Sequence, residues 1–481
     1  MTTAGDPVAS YVPGSFRDRS ARVIVDRGEV FRTLDQEAAA VWDEVRRSQF
    51  FSTLTRQGKL VETREATENE QRSLSLGPDV GRVLHHSRVP CITYPYEWSF
   101  GMLKDAALLQ LEVLAEALRE GFILKDATPY NVQFIGAKSV FIDIGSFVKL
   151  EPGEPWSAYQ QFCELFLYPL LLQAHRGIDF QFILRSELEG ISAEEVAKWF
   201  SWRDWWRRGV FSHVVLHAML ARATKSRSQS TLNELQNTGF PVSLIQHNVE
   251  RMTRLIQKLS WEPSRSKWSD YDQTSEMVAR DSDSKAQFVK ATASARRWSL
   301  AWDLGCNLGR YALIAAEHAE QVLAMDFDHL CVETLYRQLK EQRVSNVIPL
   351  RMNVVNSSPA LGWRGRERTR LEERGLPDLV LCLGLIHHMV IAANIPLAEV
   401  VEWMASLKAT LVIEFPTKND PMVLALLRNK RDQYQEYAQT NFEQLLSCHF
   451  DIQERLQLPS GERFIYRAIP LSEARSHDRC P

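Results

Sequence analysis

Trp302-Asp-Leu-Gly-Cys-Asn-Leu-Gly-Arg-Tyr311 is the stretch that decides how this chain is read. An apolar run, Leu300-Ala-Trp-Asp303, ends on an acid and bends at once through Gly305 and Gly309 into a predicted helix. Glycine lets backbone approach a ligand closely, and the first turn of a helix presents N–H groups without intrahelical partners. Two details narrow the ligand. The spacing is GxxxG, where a dinucleotide turn carries GxGxxG. Asp303, directly before the bend, attracts a cation and repels a pyrophosphate.

Working outward, the next strand-like run, Gln321-Val-Leu-Ala-Met325, also ends on an acid. Asp326 follows Asp303 by 23 residues, close to the spacing at which an acid accepts ribose hydroxyls in dinucleotide folds. Strand signals recur at Asn346–Leu350, Asp378–Leu383 and Thr410–Glu414, with helical stretches between them. That rhythm predicts an α/β domain with a mostly parallel, Rossmann-like sheet. Two late β-like runs, Phe450–Gln453 and Arg463–Arg467, are expected to close it as an antiparallel pair, making seven strands.

These residues resemble motifs I and II of the class I S-adenosylmethionine (SAM)-dependent methyltransferases, over about Trp268–Ile469. The resemblance implies SAM as cofactor, with Asp303, Gly305 and Gly309 at its methionine end and Asp326 on its ribose. Cys306 and Asn307 in the same turn, and Phe327 beside Asp326, join that set. Asn353 stands where the family often has an acid beside the adenine. No metal is implied.

Ligands of open α/β sheets lie beyond the carboxyl ends of the strands. The fourth strand ends in Gly384-Leu-Ile-His-His-Met389, which directs His387 and His388 to the reacting methyl. Histidine titrates near neutrality and suits a general base; the alternative is that one ring only shapes the pocket. Glu414, ending the fifth strand before Phe415-Pro416, is a second candidate there.

The first half reads differently. Met102–Glu120 is a predicted amphipathic helix stopped by Gly121, and Val132–Ile135 and Ser139–Asp143 suit a hairpin around Gly136. Asp126, Asn131 and Asp143, the last opening Asp-Ile-Gly, resemble the catalytic segment of kinases and small-molecule phosphotransferases. That resemblance implies a kinase-like α+β domain, with ATP and magnesium as ligands. It is incomplete: Leu124 stands where the family has histidine, and neither a glycine-rich loop nor a V-A-I-K lysine precedes it. The alternative is a substrate-recognition domain whose acids cap turns.

Short β-like pieces are also expected at Arg22–Val25 and Val89–Tyr94, with a helix near Asp35–Arg47. Residues 156–222 should be mainly helical. The spacing of Trp199, Trp202, Trp205 and Trp206 reads as one packed helix face, and Trp363–Arg370 as a solvated one.

The 481 residues exceed one core. The organisation expected is a flexible start at 1–20, an α+β domain at 21–224, a linker with a connecting helix at 225–264 and the methyltransferase domain at 265–475. Seven cysteines without a CxxC pair argue against a disulfide framework or zinc site and for a reducing cytoplasm. Met1–Ser20 lacks the apolar core of a secretory signal, and no run is long enough to span a membrane. A net charge of −3 gives no whole-chain attraction to nucleic acid or anionic lipid, so such a contact requires a local patch.

The leading expectation is a SAM-dependent methyltransferase of a small-molecule or glycan-type acceptor, with an N-terminal module open to a protein partner. Its rivals are a phosphotransferase or bifunctional enzyme, and a non-catalytic SAM-binding protein. Val354–Trp363, Ile386-His-His388 and Ile413-Glu-Phe-Pro416 further resemble methyltransferase-like proteins of the NoeA group of root-nodule bacteria, which implies a role in host-specific nodulation.

Overall fold

Seven strands of the C-terminal half form one sheet: β10 (Trp298–Leu304), β11 (Ala319–Asp326), β12 (Val347–Arg351), β13 (Leu379–Cys382), β14 (Thr410–Pro416), β15 (Phe450–Gln457) and β16 (Arg463–Pro470). Their spatial order is β12-β11-β10-β13-β14-β16-β15. The five strands from β12 to β14 run parallel, and β16 pairs antiparallel with both β14 and β15. This is the seven-stranded, mostly parallel sheet closed by an antiparallel pair that the strand rhythm predicts. Near-continuous burial along β10, β11 and β13 is what a parallel sheet covered on both faces requires. The order reverses between β10 and β13, the switch point where such sheets open a crevice.

The computed structural model describes residues 10–77, 79–224, 241–262, 276–428, 430–431 and 433–471. Contacts divide the chain into two units. Unit one comprises Met1–Phe134, Lys138–Glu262 and Ala360–Arg368; unit two comprises Ile135–Ala137, Pro263–Pro359 and Thr369–Pro481. The linker expected at Lys225–Thr231 lies outside the described residues, as does the start of the connecting helix, which is seen as α3 (Val242–Gln257).

Unit one is α+β. Strands β1 (Ser10–Tyr11), β2 (Ala21–Asp26), β3 (Glu29–Leu34), β4 (Thr63–Glu65) and β5 (Arg82–His86) make an antiparallel sheet in the order β1-β2-β3-β5-β4. Asp35 caps helix α1 (Gln36–Val45) by accepting from the Ala38 amide at 2.8 Å. Helix α2 (Phe100–Arg119), capped by Ser99, is buried along most of its length. Two small antiparallel pairs follow: β6 (Phe122–Leu124) with β9 (Phe147–Lys149), and β7 (Val132–Ile135) with β8 (Lys138–Phe141).

Three expectations fail here. Val89–Tyr94 forms no strand. Pro90 and Pro95 interrupt it, and the backbone of Thr93 is satisfied instead by the Gln133 side chain, at 2.8 Å and 3.0 Å. Trp363–Arg370 is no solvated helix face: Glu367 is buried and gripped by Arg17 through two 2.9 Å bonds, while the Arg368 guanidinium lies 3.7 Å over the Tyr130 ring. The tryptophan run does not pack. Trp156 is buried, but Trp199, Trp202, Trp205 and Trp206 are exposed, the last three on a short 3-10 helix (Trp202–Trp206). Among the described residues no helix is long and apolar enough to cross a membrane.

Candidate cofactor site and acceptor cluster

Beyond the tips of β10 and β11 the chain is stitched tightly. The amides of Gly305 and Cys306 both donate to the Met325 carbonyl, at 2.8 and 3.0 Å. Gly305 and Gly309 hold φ of 76° and 81°, a region costly for residues with a Cβ. At Gly309 a Cβ would also meet the Leu335 side chain of helix α6 (His329–Gln342) at 2.5 Å, so that side chain would have to shift.

The two acids meet at this bend. Asp326 accepts the Asn307 amide on one oxygen and the Asp328 amide on the other, each at 2.8 Å. The Phe327 amide bonds this carboxylate as well; a carboxylate has about four acceptor positions, so room for a hydroxyl remains. Asp303 is buried, and its Oδ2 has no partner. Burial and the neighbouring Asp326 push the Asp303 carboxyl up to about 7. A buried acid with an unpartnered oxygen beside a second acid suits a positively charged group. The ammonium of an amino-acid ligand fits it.

The rest of the expected set is arranged around this pair. Cys306 is buried, its thiol pushed well up by burial, Asp326 and Asp303. Phe327 is exposed, offering an aromatic face next to Asp326. Asn353, also exposed, spends its side-chain oxygen on the Val355 amide at 3.3 Å.

His387 and His388 follow β13 with ring centroids 4.2 Å apart. His387 is buried, and neither ring nitrogen has a hydrogen-bond partner. Burial, then His388, Arg463 and Lys285, hold its pKa well below the ordinary histidine value, so the ring is neutral. Glu414 is wholly buried at the tip of β14. Lys285 Nζ lies 2.8 Å from its Oε2, and Arg463 donates to Oε1 at 3.0 Å. Burial raises the Glu414 carboxyl, but these two cations outweigh it and keep the group ionised. Arg463 also grips Asp420 through bonds of 2.6 and 3.1 Å.

Lys285, Arg463 and Asp420 escape a reading of the sequence. Lys285 lies on helix α4 (Glu276–Ala293), whose buried face runs Asp281, Ser282, Lys285, Phe288, Val289 and Thr292. The signal was an apolar stripe that continues into polar residues. Asp281 accepts the Ser460 amide at 2.9 Å, and Ser282 receives Arg310 of helix α5 (Arg310–Ala316) at 2.8 Å, fixing α4 against the glycine turn.

No protein-family model matches the chain. Nodulation protein NoeA of Rhizobium meliloti (strain 1021) is 33% identical over 465 residues, 96% of this chain and 97% of that protein. The chain belongs to the NoeA family. Among solved structures it is similar to the N-methyltransferase NodS from Bradyrhizobium japonicum WM9, at 14% identity and a TM-score of 0.30 over 40% of this chain and 97% of that one. Magnesium protoporphyrin IX methyltransferase ChlM from Synechocystis PCC 6803 gives 17% and 0.30 over 41% and 89%. The bifunctional kinase-methyltransferase WbdD gives 17% and 0.29 over 43% and 42%. At such scores the fold of this NoeA-family chain rests on its strand order.

In unit one, Asp143 is already matched. Its Oδ1 lies 2.8 Å from Nη1 of Arg32 on β3, and Arg32 also donates to the Ile142 carbonyl at 3.4 Å. Both side chains are largely buried. Burial and Asp143 raise the Asp126 carboxyl, while Lys125 turns to Asp18 at 3.2 Å and Ser20 at 3.0 Å. A divalent ion at Asp143 would meet a fixed guanidinium charge, so this cluster does not fit the magnesium implied by the kinase resemblance. Among the described residues no cluster of three or more His, Cys, Asp or Glu is arranged to hold a metal.

Proposed function

We propose that this NoeA-family protein is a SAM-dependent methyltransferase whose cofactor sits on Asp303, the Gly305–Gly309 turn and Asp326. The observation that carries the reading is the buried, unpartnered Asp303 Oδ2 beside Asp326 at the tips of adjacent central strands. Asp303 would pair with the ligand's ammonium, Asp326 would accept the ribose hydroxyls, and Phe327 would lie against the base; Cys306, Asn307 and Asn353 border the same ligand. When bound, SAM supplies a methyl group made electrophilic by its sulfonium.

In this reading His387 meets the acceptor: its neutral, unpartnered nitrogens take a hydrogen bond from an acceptor O–H or N–H and hold it for attack, while burial and the nearby cations disfavour its keeping the proton, which passes on to solvent. His388 packs against it and limits its rotation. Glu414, held ionised by Lys285 and Arg463, is a positioning residue that fixes the two cations around His387. Holding the acceptor in line supplies much of the remaining acceleration.

Residues 265–475 are assigned to this domain and 21–224 to a module that recruits or orients the substrate. The order β1-β2-β3-β5-β4, followed by α2 and the two small strand pairs, supports a kinase-like fold for that module. Arg32 then stands on the strand where kinases carry a lysine, and its grip on Asp143 favours recognition over phosphoryl transfer. From the name of its relative comes a role in nodulation, through a small-molecule or glycan-type acceptor in the cytoplasm.

Calorimetry with SAM and its demethylated product, followed by radiolabelled methyl transfer into fractionated extract, tests the proposal. Binding of neither nucleoside rejects it. Alanine at both His387 and His388 should leave SAM binding intact and cut turnover by about 100-fold or more; unchanged turnover removes them from the chemistry.

A further inference from the structure

Unit one carries an exposed aromatic and basic surface that the methyltransferase reading does not use. In Trp202-Arg-Asp-Trp-Trp-Arg-Arg208 every side chain except Asp204 is exposed. Trp202 is 67% and Trp206 89% exposed, and Phe211 close by is half-exposed. Large aromatics are seldom left to water in this number, and a contiguous patch of them marks a surface that meets something.

The turn is rigidly built. Asp204 is buried and points inward, accepting from the Ser201 amide at 2.8 Å and the Ser201 hydroxyl at 2.7 Å. It also pairs with Arg176 at 3.2 Å and Arg207 at 3.0 Å. The outward charge comes from Arg203 and Arg208, since Arg207, though exposed, is tied to the inward-turned Asp204 and to the His175 carbonyl.

We propose that this turn docks the protein on an anionic lipid bilayer surface. Rings exposed to this degree have no walls around them, which disfavours a pocket for a small ligand. In a 3-10 helix Trp202 and Trp205 share a side while Trp206 is rotated by about a third of a turn, so the rings make no flat stacking platform. Indole rings do partition into the headgroup layer, apolar body inward and N–H toward water, and arginine beside them meets lipid phosphate. The local charge runs against the chain's net −3, which is the complementarity an anionic surface selects.

Sedimentation of the full chain with phosphatidylcholine vesicles, with and without added phosphatidylglycerol, tests this. The protein should pellet with the anionic vesicles and be released by salt. A Trp202→Ala, Trp206→Ala variant should lose about tenfold or more in partitioning. A variant with Arg203 and Arg208 changed to Ser, which leaves the Arg207–Asp204 pair in place, should lose the preference for anionic lipid. Both replace exposed side chains, and a circular-dichroism spectrum and denaturant midpoint unchanged from wild type would show that unit one folds. Absence of vesicle binding at low salt, equal partitioning of wild type and tryptophan variant, or a dimer that Trp206→Ala dissolves without any lipid binding would each overturn the proposal.

Discussion

Asp143 in unit one and Asp303 in unit two are both buried acids at strand ends, yet their surroundings are opposite. Asp143 has a guanidinium 2.8 Å away. Asp303 has a second acid nearby, a backbone hydrogen bond from Ala312 and one oxygen with no partner. A carboxylate supplied with its own cation is electrostatically complete. One raised to about 7 by burial and a like charge is satisfied only when something positive arrives. The contrast separates the two motifs that the sequence offered as ligand sites, and it is why the proposed function places a cationic ligand on Asp303.

Removing each acid should therefore act with opposite sign. Asp143→Ala strands Arg32 in a buried place, so denaturant unfolding should show about 3 kcal/mol less stability, with SAM affinity within about twofold of wild type. Magnesium-dependent nucleotide binding that this variant abolishes would break the comparison. Asp303→Asn should leave stability unchanged or raised, since it removes a repulsion with Asp326. Calorimetry should then show SAM affinity down by about 30-fold, the loss of one charge-assisted hydrogen bond. Full affinity in the asparagine variant would mean that the ammonium lies elsewhere.

How much of this was legible follows from distance along the chain. The SAM-type turn could be read because its parts are local: Asp303, Gly305 and Gly309 fall within seven residues, and Asp326 sits at the tip of the next strand. The partners that decide what each acid does are remote. Arg32 reaches Asp143 only once β3 is folded, and the cations on Glu414 come from a helix before the sheet and from its last strand. Glu414, a pocket candidate from the sequence, is buried between Lys285 and Arg463, partners that its own stretch of chain does not announce. The tryptophans misled for a different reason: three-to-four spacing is the same whether a face is packed or offered to a partner, and only exposure tells them apart.

The pH dependence sharpens the comparison further. With its folded value raised to about 7, Asp303 holds a proton that the unfolded chain would release near 4. The folded state binds more protons in that interval, so this contribution to ligand-free stability is complete below about 4 and is lost as pH rises through about 7. An ammonium ligand reverses the demand, because it needs the ionised form. SAM affinity measured by calorimetry should fall by up to about tenfold per pH unit below 7 and level off above it. Asp303→Asn should abolish the slope; a slope that survives belongs to another group.

The smallest effect concerns Phe327. Its ring is half-exposed beside Asp326, and a base lying against it would gain about 0.5–1.5 kcal/mol. Phe327→Ala should weaken SAM binding by about threefold to tenfold, and binding of adenosine by the same factor, while methionine competition stays as in wild type. Asp303→Asn should show the reverse selectivity, losing methionine and keeping adenosine. Two variants that split the ligand into an aromatic end and a cationic end would show that the unsatisfied acid reads the charge and nothing else. If Phe327→Ala instead weakened methionine competition as strongly as adenosine binding, the turn itself would have moved, and the ring would count as part of its packing.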